Sequence, residues 1–132
     1  MTDIFVGRLM SSPVETVRPE TAVRTAARTL LDEAIGSLVV VDGDNDLVGI
    51  LTTTDFVRIT ADDASDATVA DYMSTDVTTA TATDPIDDVA GTMIDGGFHH
   101  VPVVDEEAGV VGMLTTTDLT AYLSAIGSPP TA

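Results

Sequence analysis

The chain of 132 residues has no cysteine and no lysine, and its five basic residues are all arginine. Without cysteine there can be no disulfide, no thiolate nucleophile and no thiolate ligand for zinc, so a metal would have to rest on carboxylates and two histidines. Without lysine there is no Schiff base. Long apolar runs are missing too. No stretch approaches the roughly 20 residues of a membrane-spanning helix, and the opening "MTDIFVGRLMSS" lacks the basic, apolar, small-residue order of a signal peptide. The expected location is therefore the cytoplasm, with no membrane contact. Positive charge is the scarcest commodity: 22 acidic residues leave a net charge of −17. A phosphate backbone would be repelled, which speaks against a direct nucleic-acid role.

Such a charge would strain the fold at low ionic strength. At about 1 M salt the Debye length shrinks to roughly 3 Å and the repulsion is screened. Acidic residues spread over many segments, with abundant Asp, Thr, Ala and Val, resemble the composition of cytosolic proteins of halophilic archaea. The charge then reports habitat rather than ligand.

What the chain does have is a core's worth of apolar residues, 44% of the total, and a duplication. "GILTTTDF" begins at Gly49 and "GMLTTTDL" at Gly112. Residues 6–58 align with 69–121 at a constant offset of 63 without a gap, and 18 of the 53 positions are identical. Each copy carries the same order of signals. A leading helical turn ("DIFVGRLM", "TVADYM") precedes a short strand ("PVETV", Pro13 to Val17; "DVTTA", Asp76 to Ala80). A helix follows. In the first copy Thr21 is placed to cap it, Val23, Ala26, Ala27, Leu30, Leu31 and Ala34 form its apolar stripe, and Gly36 ends it. In the second, Asp84 is the expected cap and Pro85 the first helical residue. Ile86, Val89, Ala90, Met93 and Ile94 form that stripe, and Gly96 with Gly97 ends it. Two strands come next, "SLVVVD" and "DLVGIL" or "HVPVVD" and "GVVGML", joined by the turn-prone "GDND" and "EEAG". Their near-continuous apolar runs predict sheets covered on both faces. A last helix starts inside the threonine run.

"DGDND", Asp42 to Asp46, matches the start of a calcium loop, but no glycine follows Asp46 and the twelfth position is Thr53 where a glutamate is needed. It reads as a turn, and the two histidines find no third ligand at a useful spacing, so no metal site is expected. The threonine phrase has two readings. Thr52 with Asp55, and Thr115 with Asp118, can form capping boxes contributing about 1 kcal/mol each. The same helix N-termini also offer free N–H groups and a positive dipole end to a phosphate, while an ionised aspartate suits the paired hydroxyls of a ribose. No phosphate-binding G-x-x-x-x-G-K sequence and no nucleophile elbow is present, so no enzyme activity is expected.

The order of elements, the duplication, "HVPVVD" and above all G-apolar-apolar-T-x-x-D resemble cystathionine β-synthase (CBS) domains, which occur as tandem pairs. The resemblance covers roughly Ile4 to Ile126. It implies an α/β fold of two β-α-β-β-α repeats, packed through their sheets as one pseudo-twofold module. On this reading residues 4–59 form repeat 1, 60–68 the acidic linker, 69–126 repeat 2 and 127–132 a tail. In nucleotide-binding CBS pairs the threonine and aspartate hold phosphate and ribose while the base lies on apolar residues of the other repeat. Carried over, one cleft joins Ile50, Thr52, Thr54 and Asp55 to Val77, Thr78, Phe98, His99 and His100. The other joins Met113, Thr115, Thr117 and Asp118 to Val14, Glu15, Ile35 and Gly36.

Family members often place a basic pair before the strand, where it can reach phosphate. The second copy has His99 and His100 there, and an imidazolium beside phosphate has its pKa raised. The first copy has Gly36 and Ser37, with Val39 in place of the family's proline, and Glu15 would repel phosphate. The Asp55 cleft is therefore the one expected to be occupied. The resemblance implies a regulatory module whose effector is an adenosine-containing ligand (AMP, ADP, ATP, S-adenosylmethionine or NAD), with no required cofactor. It further implies a homodimer formed through the helices and a regulated partner protein of unknown identity. A structural or dimerisation module with vestigial clefts, and a Mg2+-sensing module, are the alternatives.

Overall fold

The computed structural model describes residues 4–127; residues 1–3, and the expected tail from 128 on, lie outside the described residues. Among the described residues the chain forms two compact units. One contains Val14–Val77 with Ala108–Val110. The other contains the N-terminal segment up to Pro13, Thr78–Glu107 and the chain from Val111 on. No described helix is long and apolar enough to cross a membrane.

In the Val14–Val77 unit, β1 (Thr16–Val17) runs parallel to β2 (Ser37–Val41), which pairs antiparallel with β3 (Leu47–Thr52). All five residues of β2 are buried, the uninterrupted apolar signature of a strand covered on both faces. The turn between β2 and β3 is closed by Asp42, whose Oδ1 accepts the N–H groups of Asp44 and Asp46. The carboxylates of Asp42, Asp44 and Asp46 come together there, but the first of them is engaged in building the turn. Helix α2 (Val23–Glu33) lays Ala26 and Leu30 on Leu38, Val40 and Leu51. In the other unit, β4 (His100–Asp105) and β5 (Gly109–Thr115) form a hairpin, and α5 (Ile86–Gly96) packs Ile86, Val89 and Met93 against Val101, Val103 and Leu114.

The expected first strand of the second copy is not a strand: Asp76 to Ala80 contributes only a parallel bridge between Ala80 and Val103. Of its Val-Thr-Thr-Ala stretch, only Ala80 pairs among the described residues. The helix ends also differ from expectation. Ala22, not Thr21, precedes α2, without a side-chain cap. Pro85 is the N-cap residue of α5 in extended backbone rather than its first helical residue, and the Asp84 carboxylate accepts the Thr81 N–H instead. Helix α2 stops two residues before Gly36. Ala34 itself takes the left-handed conformation, φ 54°, that Gly97 takes at the matching end of α5, φ 70°. Glycine pays no steric cost there, whereas alanine does.

The leading turns are where the two copies depend on each other. Helix α1 (Val6–Leu9) belongs to the unit built on the second copy: Val6 is fully buried among Ala80, Ile86, Val101 and Leu114. The Val6 and Gly7 N–H groups donate to the Asp84 and Ala82 carbonyls, and Ser11 and Met113 exchange two backbone bonds of 2.8 and 3.0 Å. Helix α4 (Val69–Tyr72) does the same in the other unit, with Val69 and Ala70 donating to Thr21 and Pro19 and Ile50 exchanging two bonds with Ser74. This accounts for the glycine in each repeated phrase. A Cβ on Gly49 would lie 2.8 Å from Met73 Sδ and 2.9 Å from the Ser74 carbonyl; one on Gly112 would lie 2.6 Å from Met10 Sδ and 3.0 Å from the Ser11 carbonyl. Only a residue without a side chain lets the crossing segment approach so closely.

Candidate functional site

Each threonine run sits where a strand hands over to a helix. Thr52 ends β3 and is the N-cap of α3 (Thr53–Ala61), in extended backbone with φ −122° and ψ 169°. Its N–H and hydroxyl both donate to Asp55 Oδ2, at 2.8 and 3.3 Å, and the reciprocal capping box is complete. In the other unit Thr115 ends β5 and precedes α6 (Thr116–Gly127), its N–H donating to Asp118 Oδ2 at 2.9 Å while its hydroxyl accepts the Asp118 N–H at 3.1 Å. The first helical N–H of each, Thr53 or Thr116, donates to the carbonyl of Gly36 or His99. The capping reading of the repeated phrase therefore holds in both copies.

The second carboxylate oxygen separates them. Asp55 is 4% exposed, and its Oδ1 accepts Arg58 Nη2, one turn along α3. Arg58 also donates to the Tyr72 carbonyl and lies 6.0 Å from the Tyr72 ring, whose hydroxyl donates to Asp62. That bond to Asp62 is the main cause that raises the Tyr72 pKa. Asp118 is half-buried, and among the described residues its Oδ1 accepts the Ser11 hydroxyl alone, at 3.0 Å. The position matching Arg58 is Ala121. Among the described residues Asp118 has no cationic partner within ion-pair distance. Arg58 and Ser11 were not among the residues singled out from the sequence. The i, i+3 spacing of Asp55 and Arg58 on one helix was a signal for the first; Ser11, 107 positions from Asp118, offered none.

The residues singled out from the sequence divide between the two units. Ile50, Thr52, Thr54 and Asp55 share the Val14–Val77 unit with Val14, Glu15, Ile35, Gly36 and Val77. Of these, Ile50 is buried, Ile35 packs on the core, Glu15 and Thr54 are exposed, and Gly36 touches the corner through its carbonyl. Met113, Thr115, Thr117 and Asp118 share the other unit with Thr78, Phe98, His99 and His100. Phe98 and His99 line an apolar groove of about 420 Å³ between α5 and α6, with the Phe98 ring seated against Gly96.

His100, at the start of β4, is half-buried. Burial, and secondarily the neighbouring His99, lower its pKa from the ordinary 6.5. Below the ordinary value the unfolded chain binds the proton first, so this residue's contribution to stability is full above about pH 6.5 and declines as the pH falls through the lower folded value. Urea unfolding at about pH 7.5 and about pH 5.5 should show a smaller acid loss for His100→Gln than for the parent; equal losses would assign the decline to other groups.

The CBS domain model matches residues 6–62 and again 69–125. This chain belongs to the CBS domain family. As a tandem CBS pair it is similar to an uncharacterised 17.7 kDa protein of Acidianus ambivalens, with 30% identity over 118 residues that cover 89% of this chain and 72% of the relative. It is also similar to the uncharacterised protein MJ1225 of Methanocaldococcus jannaschii, with 32% identity over 93% of this chain but only 43% of the relative. Among solved structures, the CBS domain pair of protein MJ0100 in complex with 5'-methylthioadenosine and S-adenosyl-L-methionine superposes with a TM-score of 0.87. Identity is 31%, and the match covers 94% of this chain and 98% of that one.

Proposed function

We propose that this CBS pair is a non-catalytic regulatory module that binds an adenosine-containing ligand, with the ribose held first by Asp118 and its 5' group of neutral or positive charge. One observation carries the reading. The Asp118 carboxylate is fixed in place by the Thr115 N–H, yet among the described residues its other oxygen is met only by the small hydroxyl of Ser11. A ribose diol can add donors to that oxygen without breaking an ion pair. Asp55 offers the same geometry but would have to give up Arg58, so the preference for Asp55 drawn from the histidines is reversed here. The similarity to a CBS pair solved with two adenosyl compounds supports the ligand class.

Charge sets the subclass. The unit holding Asp118 contains a single arginine, Arg8, in a chain of net charge −17. A polyphosphate would meet repulsion there, whereas a sulfonium or a methylthio group would not. Binding communicates with a partner protein only if the ligand prefers one of two conformations, and binding to the folded state raises the melting temperature. Calorimetry and thermal melting with 5'-methylthioadenosine, S-adenosylmethionine, AMP and ATP, in molar KCl, test the reading. The first two should bind more tightly than ATP. Flat heats and unmoved melting curves for all four would refute ligand binding, leaving a structural module. Tighter ATP binding would refute the charge argument alone.

A further inference from the structure

The arginine that meets Asp55 is itself held in place. Asp55 is buried with both oxygens engaged, Oδ2 by the Thr52 N–H and hydroxyl and Oδ1 by Arg58. Arg58 donates in addition to the Tyr72 carbonyl at 3.2 Å and lies over the Tyr72 ring, and the Tyr72 hydroxyl is fixed by Asp62 at 2.7 Å. Asp55, Arg58, Tyr72 and Asp62 thus form one run of interlocked side chains, carried by α3, its C-cap residue and α4, all inside the Val14–Val77 unit.

The other copy lacks this run because its residues differ. At the offset of 63, Arg58, Asp62 and Tyr72 correspond to Ala121, Ala125 and Leu9, none of which has a polar side chain. The serine is no such difference, because the Ser11 that reaches Asp118 is repeated as Ser74. What separates the two corners is the arginine and the pair of residues that hold it. Charge then decides what can displace it. A ribose diol offers Asp55 hydrogen bonds but no positive charge, and a buried carboxylate stripped of its cation is strongly disfavoured. The Arg58 side chain is 57% exposed, so the cost of exchange falls mainly on the carboxylate. Arg58 would also leave the Tyr72 carbonyl and ring, and a ligand without an anionic group gives it nothing in return.

We infer that Arg58 is a specificity-determining residue that shuts the Asp55 corner to adenosyl ligands without an anionic group, so that such a ligand is taken once per chain, at Asp118. The single site at Asp118 rests on the function proposed above. The closure of the Asp55 corner by Arg58 stands or falls separately.

Calorimetric stoichiometry with 5'-methylthioadenosine in molar KCl tests this. The parent chain should take one ligand and Arg58→Ala two. Adding Asp55→Asn to Arg58→Ala should remove the gained site, whereas adding Asp118→Asn should leave the gained site as the tight one. Equal stoichiometry in the parent and Arg58→Ala overturns the role of Arg58, whether or not the parent binds; one ligand on each leaves the Asp118 site standing. No binding to the parent with one ligand on Arg58→Ala upholds the closure and overturns the Asp118 site. Urea unfolding establishes that each variant is folded, and Arg58→Gln, which removes the charge but keeps a donor, takes the place of Arg58→Ala if the alanine variant unfolds. The converse variant, Ala121→Arg, changes an exposed position of α6. It should weaken binding at Asp118 by about tenfold or more, and unchanged affinity there overturns the ion pair as the cause of closure.

Discussion

Replacing Leu114 by alanine should lose about 2–5 kcal/mol of folding stability. Leu114 is fully buried against Val6, Val101 and Val103, so the truncation removes apolar contacts and leaves a cavity that strands β4 and β5 can only partly close. For a domain whose whole stability is about 5–15 kcal/mol, that is a large share. Leu51, the matching residue of the other unit and equally buried, should behave alike. Val57→Ala, on the exposed face of α3, is the control and should stay within about 0.5 kcal/mol. Urea unfolding in molar KCl measures all three while the charge repulsion stays screened. A loss below about 1 kcal/mol at Leu114 would mean that this side chain does not anchor its core.

Asp118→Asn should weaken adenosyl-ligand binding by about 10- to 100-fold, the equivalent of about 1.5–3 kcal/mol for hydrogen bonds to a charged group. The amide keeps the shape and can still accept the Thr115 N–H, so the fold is little changed while the ribose loses a carboxylate. Asp55→Asn is the contrasting variant. It removes the charge that Arg58 answers and weakens the box that caps α3, so its main effect should be on stability, about 1 kcal/mol. Isothermal titration and urea unfolding on both variants separate the roles. Unchanged affinity in Asp118→Asn with lost affinity in Asp55→Asn would move the ribose site to the other unit.

Much of this was legible in the residues, and for identifiable reasons. The apolar periods of α2 and α5 and the unbroken runs of β2 and β4 are local, and so is the capping box of each threonine phrase. Reading failed where partners are distant. Leu31 and Ile94 fit a 3.6-residue stripe as well as Leu30 and Met93 do, yet they stand outside the core, because periodicity says which residues share a face and not how wide a face the unit covers. Helix boundaries shifted for a similar reason: Ala34 turns into the left-handed region to bring Ile35 onto the core, overriding the preference for glycine at such an end. At the site, the threonines and aspartates were found by their repetition, their capping spacing and the resemblance to CBS domains. Of what distinguishes Asp118 from Asp55, the arginine one turn after Asp55 was legible as an i, i+3 pair, whereas the serine 107 positions from Asp118 depends on a tertiary contact.

The burial of Val6 beside Leu114 bears on how the chain is made. During synthesis the unit of Val14–Val77 acquires Val69 and Ser74 soon after its own strands emerge, and all but the small Ala108–Val110 contribution is then available. The other unit must keep its first turn waiting until β5 has left the ribosome, more than a hundred residues later by the separation of Ser11 from Asp118. Contacts that far apart are slow to form, so the nascent chain can complete the Val14–Val77 unit early while the Val6–Leu9 turn stays uncovered until β5 has been made.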